Sequence, residues 1–305
     1  MIHGTHNALA DDRNKDVQIL VNGVLYPRNE AKISVFDSGY LVGDGVWEAL
    51  RLHKGVLVFL NEHLNRLWEG AAAIKMDLPF TKEELTAEIR RTLDANQMFD
   101  HVHVRVMVTR GIKKTPSQDP RLTLTGPNVV IIAEHKQAAP ESTKKGIRLH
   151  TSTIRRGAPD YLDPRLNCHS KLHEVQALIQ ALEAGADEAL MLDTHGFVAT
   201  CNATNFFMVK NGEVWTSTGQ YCMNGITRAK VLEACARFDI ICKEKNFSLY
   251  DVYSADEAFV TGSFGGLTPV VEIDGRPVTR DAHQLTNQLR KHYQFLIEEA
   301  VQHGQ

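Results

Sequence analysis

A chain of 305 residues with 43% hydrophobic side chains can bury one large or two medium cores. Its 34 Lys+Arg nearly balance 37 Asp+Glu, which excludes a global attraction to nucleic acid or to an anionic membrane. Five cysteines, at 168, 201, 222, 235 and 242, match no zinc spacing, and their odd number argues against a disulfide framework, so a reducing cytoplasm is the expected setting.

The chain is expected to open with a polar arm, Met1 to Asp16, without the apolar stretch of a secretion signal, and no later window reaches transmembrane length. Gln18-Ile19-Leu20-Val21 and Gly23-Val24-Leu25-Tyr26 flank Asn22-Gly23, the strongest short hairpin signal. Leu64, Leu67, Trp68, Ala71, Ala72 and Met76 recur at helical spacing and predict a helix over 61–76. A second helix is expected over 81–96, capped by Thr81 with Glu83 and Glu84 close behind. Extended runs follow at 102–109 and 127–133. Residues 137–146 have no apolar period and read as a linker. The expected division is an arm (1–16), a small α+β domain (17–136), this linker, and a large α+β domain (147–305). The large domain should hold a strand at 147–153, a helix at 170–184 capped by Ser170, and strands at 188–193 and 206–210. Then come a helix at 227–238, a strand at 258–261, a turn at Asp274-Gly275 and a last helix over 280–301. Strands and helices alternate irregularly, which favours two α+β domains over a doubly wound sheet.

Three separated features can each hold an anion. Gly225-Ile226-Thr227-Arg228 opens an apolar-periodic helix, where free N–H groups and a hydroxyl meet the positive helix end. Thr261-Gly262-Ser263-Phe264-Gly265-Gly266 lets backbone approach a ligand closely, and Arg66 interrupts an apolar helical face. Each has a plain structural alternative, a routine helix start, a turn or a salt bridge.

Their order resembles the class IV aminotransferases, the fold type IV pyridoxal phosphate enzymes that include branched-chain and D-amino acid transaminases and aminodeoxychorismate lyase. The resemblance runs from about Val17 to Val278. Its anchors include Phe36-Asp37-Ser38-Gly39-Tyr40, Gly45-Val46-Trp47-Glu48, Glu62-His63-Leu64-Asn65-Arg66-Leu67, Gly185-Ala186-Asp187-Glu188-Ala189 and Asn224-Gly225-Ile226-Thr227-Arg228. It implies pyridoxal 5′-phosphate as cofactor, its phosphate held by Arg66, Ile226, Thr227, Ser263 and the neighbouring Phe264. It implies amino acid and 2-oxo acid substrates, a homodimer, and no nucleic-acid or membrane partner.

Two positions depart from the family pattern. The family's Schiff-base lysine aligns with Asn167, and an asparagine cannot form an imine. The carboxylate that faces the pyridine nitrogen in the family aligns with Thr200. Lys171 is expected one helical turn beyond Asn167 and on the same side, where it could serve as the catalytic amine. The alternative is an ordinary lysine near a helix start. His169 and His173 share a helical spacing but lack a third ligand at convincing distance, so no metal site is expected. For the substrate carboxylate, the resemblance points to Trp47 with His103, Arg105 or Arg110, of which 103 and 105 share one strand face.

The expected function is an aminotransferase. A lyase or racemase on the same cofactor, or a noncovalent binder of pyridoxal phosphate or another phosphorylated ligand, stays open.

Overall fold

The structure, a computed structural model, describes residues 4–5, 8–138, 145–278 and 283–304. The chain forms two compact units. One comprises Ala10–Gln137, Leu166–Ser170 and Ala300–Gln305, the other Met1–Leu9, Ala138–Arg165 and Lys171–Glu299. They are called here the N-terminal and C-terminal units.

The N-terminal unit is built on strands β1 (Gln18–Val21), β2 (Val24–Pro27), β3 (Gly45–His53), β4 (Val56–Val58), β5 (Val102–Thr109) and β6 (Asn128–His135). Among the described residues they form a sheet in the order β2-β1-β6-β5-β3-β4, every pair antiparallel. Val102, Val104, Val106 and Val108 of β5 all point inward and are essentially inaccessible, the alternation that a half-buried strand requires. Each such valine contributes roughly 1.5–3 kcal/mol of burial. The covering face comes from α2 (Leu60–Ala73), through Leu64, Leu67 and Ala71, and from α3 (Lys82–Ala95), through Leu85, Ile89 and Leu93. A short helix α1 (Ser38–Val42) precedes β3. The Asn22-Gly23 turn and the Thr81 cap lie where the sequence puts them, and Thr81 and Glu84 close a reciprocal capping box.

The C-terminal unit carries β7 (Ile147–Thr151), β8 (Glu188–Leu192), β9 (Val198–Cys201), β10 (Asn205–Lys210), β11 (Glu213–Thr216), β12 (Cys242–Glu244), β13 (Glu257–Gly262), β14 (Gly266–Ile273) and β15 (Arg276–Pro277). Its sheet runs β12-β11-β10-β13-β14-β7-β8-β9, with β15 beside β14. Strands β8, β9, β10 and β13 are buried along nearly their whole length. Buried on both faces, they show no alternation, and β9 escapes the periodicity reading for that reason. Helices among the described residues here include α4 (Leu172–Glu183), α5 (Ile226–Arg237), α6 (Leu249–Val252) and α7 (Gln284–His303), whose residues from Ala300 group with the N-terminal unit. No helix among the described residues is long and apolar enough to cross a membrane.

Three expectations change. The helix expected from Ser170 starts at Leu172, with Lys171 rather than Ser170 at the cap position and no side-chain cap bond. Residues 166–170 group with the N-terminal unit instead of opening that helix, because their backbone is taken by β3: Trp47 N–H donates to Asn167 O at 3.0 Å and His169 N–H to Gly45 O at 3.0 Å. The described arm residues 4, 5, 8 and 9 group with the C-terminal unit, where the Thr5 hydroxyl bonds the buried Glu188. Most of the expected linker, 139–144, and the expected start of the last helix at Arg280 lie outside the described residues.

Candidate active site

In the C-terminal unit, α5 begins at Gly225, which caps the helix in an extended conformation and offers no side-chain bond to the first-turn N–H groups. These donors point outward at the positive end of the helix dipole. Thr227, in that first turn, is almost wholly buried. Asn205 fixes the entry: its Nδ2 donates to Met223 O at 2.9 Å, and a Cβ on Gly225 would collide with Asn205 Oδ1. Only glycine allows that approach.

Asn205 is paired with Thr261 across β10 and β13. The Thr261 Oγ1 is buried and has no hydrogen-bond partner among the described residues. A buried hydroxyl without a partner is uncommon, and here it sits on the strand against which α5 packs. Ser263 and Phe264 follow in the half-buried turn between β13 and β14. Thr200 is on the neighbouring β9, where its hydroxyl donates to Thr204 O at 2.8 Å and receives Asn205 Nδ2 at 3.3 Å. Thr200, Ile226, Thr227, Ser263 and Phe264 therefore belong to one unit, and Asn205, which the sequence reading passed over, meets Thr200 and pairs with Thr261, the first residue of the turn that it singled out. No periodicity marks Asn205; a buried polar group in a strand becomes visible only with its neighbours in place.

Lys171, at the start of α4, lies 3.6 Å through Nζ from Glu174 Oε1. The same carboxylate receives Arg156 Nη1 at 2.8 Å and His173 Nδ1 at 2.9 Å. Burial pushes the Glu174 pKa up, but the His173 hydrogen bond and the Lys171 and Arg156 charges outweigh it and hold the group at about 2. Arg156 also meets His173 Nε2 at 3.0 Å. An arginine can only donate, so Nε2 accepts and the His173 proton sits on Nδ1.

Arg66, Trp47, His103, Arg105, Arg110 and Asn167 belong to the N-terminal unit. Arg66 grips Glu48 through Nε to Oε1 at 2.7 Å and Nη2 to Oε2 at 2.8 Å, and His63 Nδ1 donates to the same Oε2 at 2.7 Å. Burial raises the Glu48 pKa, yet the Arg66 and His63 hydrogen bonds bring it down to about 2. Arg105 stacks on the Trp47 ring at 4.2 Å, a diagonal pair between β5 and β3, and His103 lies on the same face two residues away. Arg110 turns elsewhere: it grips Asp44 at 2.6 and 3.1 Å and donates to the Ile74 and Lys75 carbonyls, closing the end of α2.

Asn167 is buried, with Nδ2 donating to Trp47 O at 2.6 Å and Oδ1 without a partner among the described residues. The segment 167–170 is not helical; Cys168 bridges Val46 in antiparallel fashion. The expectation that Asn167 and Lys171 share one helix face therefore does not hold. Lys171 follows the extended segment and begins a different unit's helix.

The family model for amino-transferase class IV matches residues 45–273. The chain belongs to the class IV aminotransferases. It is 42% identical over 268 residues to branched-chain-amino-acid aminotransferase-like protein 2 of Arabidopsis thaliana, covering 85% of this chain and 48% of that protein. A putative branched-chain-amino-acid aminotransferase of Methanocaldococcus jannaschii is 38% identical over 279 residues, covering 91% of this chain and 95% of its own. The chain thus spans about half the length of the Arabidopsis relative and nearly all of the archaeal one. Among solved structures, the branched-chain aminotransferase of the thermophilic archaeon Thermoproteus uzoniensis with norvaline superposes with a TM-score of 0.83 at 26% identity, over 93% of this chain and 96% of that one. The fold is accordingly the two-domain α+β fold type IV of class IV aminotransferases.

Proposed function

We propose that this chain is a pyridoxal 5′-phosphate-dependent aminotransferase that moves an amino group between an amino acid, with branched-chain amino acids first among the candidates, and a 2-oxo acid. The observation that carries the reading is the uncapped start of α5 beside the unpartnered, buried Thr261 hydroxyl. A phosphate supplies the acceptors that both lack. The first-turn N–H groups at Ile226 and Thr227 and the hydroxyls of Thr227, Thr261 and Ser263 would hold it, with Arg66 as the resemblance implies. Pyridoxal phosphate supplies an aldehyde that takes up an amino nitrogen and a ring that withdraws electrons from the adjoining carbon. Thr200 would face the ring, and Lys171 would carry the proton that transamination moves between carbons. To act as a nucleophile, Lys171 has to leave its ion pair with Glu174 and shed a proton.

A second reading, noncovalent binding without turnover, draws support from that same ion pair and from the asparagine at residue 167. One experiment separates them. Borohydride reduction of the cofactor-loaded protein, followed by peptide mass analysis, is expected to leave a phosphopyridoxyl group on Lys171, and Lys171→Ala is expected to abolish the label and amino transfer while retaining cofactor binding. Binding without any labelled lysine would leave the second reading standing.

A homodimer belongs to the same proposal. Leu172, Val175, Ile179 and Leu182 recur along α4 and are 70%, 50%, 48% and 54% exposed, an apolar stripe of the kind that a partner surface covers. Sedimentation equilibrium tests it. All five cysteines are free thiols, in keeping with a cytoplasmic setting.

A further inference from the structure

Among the anchors of the resemblance, Gly185-Ala186-Asp187-Glu188-Ala189 has no part in the phosphate site. Glu188 opens β8, is 3% exposed, and accepts two hydroxyls. Thr204 Oγ1 donates to its Oε2 at 2.7 Å, and Thr5 Oγ1 donates to its Oε1. Both threonines are buried too, and they come from distant parts of the chain, Thr204 from the turn between β9 and β10 and Thr5 from the arm. Each then touches an element of the candidate site. A Cβ on Gly265 would stand 3.3 Å from Thr5 O and 3.7 Å from Thr5 Cβ, so the arm lies against the turn that carries Ser263 and Phe264. Thr204 packs its methyl against Gly262, where a Cβ would stand 3.6 Å away, and its carbonyl accepts the Thr200 hydroxyl at 2.8 Å and Cys201 N–H at 2.9 Å. Asn202 pins the same turn to β8, its Oδ1 receiving Ala189 N–H at 2.8 Å. One carboxylate thus joins the arm, the β9–β10 turn and, through them, both ends of the 262–265 turn.

We propose that Thr5 is a positioning residue of the cofactor site: its hydroxyl, acting through Glu188 and Thr204, and its backbone, acting on Gly265, hold the Thr200 hydroxyl and the Ser263 turn in place. The identity of the ligand rests on the aminotransferase reading. The physical reason lies in burial, because carboxylate oxygens removed from water need hydrogen bonds in its stead. Burial raises the Glu188 pKa, and the Thr5 and Thr204 hydrogen bonds work against that rise. Without the Thr5 hydroxyl, Oε1 loses that donor, and the carboxylate has to turn or take up a proton. Either change alters its bond to Thr204, whose carbonyl fixes Thr200.

The test titrates pyridoxal phosphate into the whole chain by fluorescence and follows urea unfolding with and without saturating cofactor. Thr5→Val keeps the shape and removes the hydroxyl, and it is expected to bind about 10-fold less tightly, a coupling of ordinary size. Thr5→Ser, which keeps a hydroxyl, is expected to match wild-type affinity, and so is Leu9→Ala, an exposed change in the same arm. Coupling is reciprocal, so Thr5→Val should destabilise the cofactor-bound protein more than the free one, by the same tenfold factor or about 1.4 kcal/mol. A merely structural threonine would give the same loss in both. Equal affinity of Thr5→Val and wild type, equal stability losses with and without cofactor, or a Thr5→Ser or Leu9→Ala variant as weak as Thr5→Val would each overturn the proposal and leave the aminotransferase reading standing. A wild type that binds no pyridoxal phosphate would overturn both.

Discussion

Thr261 sets a stability cost against a function. Its buried hydroxyl, without a partner among the described residues, costs about 1–3 kcal/mol in the ligand-free protein, since desolvation is not repaid by a bond. Thr261→Val keeps the shape and removes the group. The variant should resist urea better than wild type, by roughly 1 kcal/mol, and bind pyridoxal phosphate about 10-fold less tightly. A fluorescence titration beside the urea curve checks both; equal affinity would separate the hydroxyl from the phosphate. Arg66 poses the complementary question, because its guanidinium grips Glu48, which is 1% exposed at its side chain. Arg66→Ala leaves that carboxylate with His63 as its remaining ion-pair partner, and the stability loss should be about 3–5 kcal/mol. Cofactor affinity should fall about 10- to 100-fold in whatever fraction remains folded. If affinity is unchanged there, Arg66 serves Glu48 alone.

Individual elements show where local sequence suffices. The α3 start is legible because Thr81 and Glu84 satisfy each other's backbone within four residues, with no tertiary partner needed. The α4 start is not. Ser170 makes a sound cap by composition, but the backbone just before it is recruited by β3, and the helix waits until Leu172. The candidate site's largest misreading, the shared face of Asn167 and Lys171, follows from that one displaced boundary. At α5 the sequence signal and the structure agree, and the element invites its own test. In Gly225→Ala the new methyl would meet Asn205 Oδ1, and Asn205 is held by Met223 O, so the helix entry has to shift. The expected result is a loss of about 1–3 kcal/mol in stability together with a weaker cofactor titration, and Asn205→Ala in the same background should recover part of the stability. No recovery would mean that the strain lies elsewhere.

At the scale of the whole molecule, each unit holds one buried carboxylate depressed to about 2, Glu48 in one and Glu174 in the other. A group whose folded pKa lies below its unfolded value of about 4.3 stabilises fully above that value and loses the contribution as pH falls through the folded pKa. Both units should therefore weaken between about pH 4.5 and pH 2, by on the order of 3 kcal/mol per group at most. Glu188 acts oppositely: burial, the dominant influence, raises its pKa, so its cost at neutral pH is relieved as acid protonates it. Thermal melts across that range should show a plateau above about pH 5 and a decline below it; a plateau that persists to pH 2 would contradict the two ion clusters. The family, the α+β class and the helix start at Ile226 are legible in the linear order of residues, because helix starts, glycine turns and motif order are local properties of the chain. Tertiary structure alone decides that Arg110 closes on Asp44, that Arg105 stacks on Trp47, that Asn205 pairs with Thr261, and that Asn167 and Lys171 share no helix. In each case the deciding partner lies far along the chain, and a side chain's charge or hydroxyl is committed by whichever group the fold brings within bonding distance.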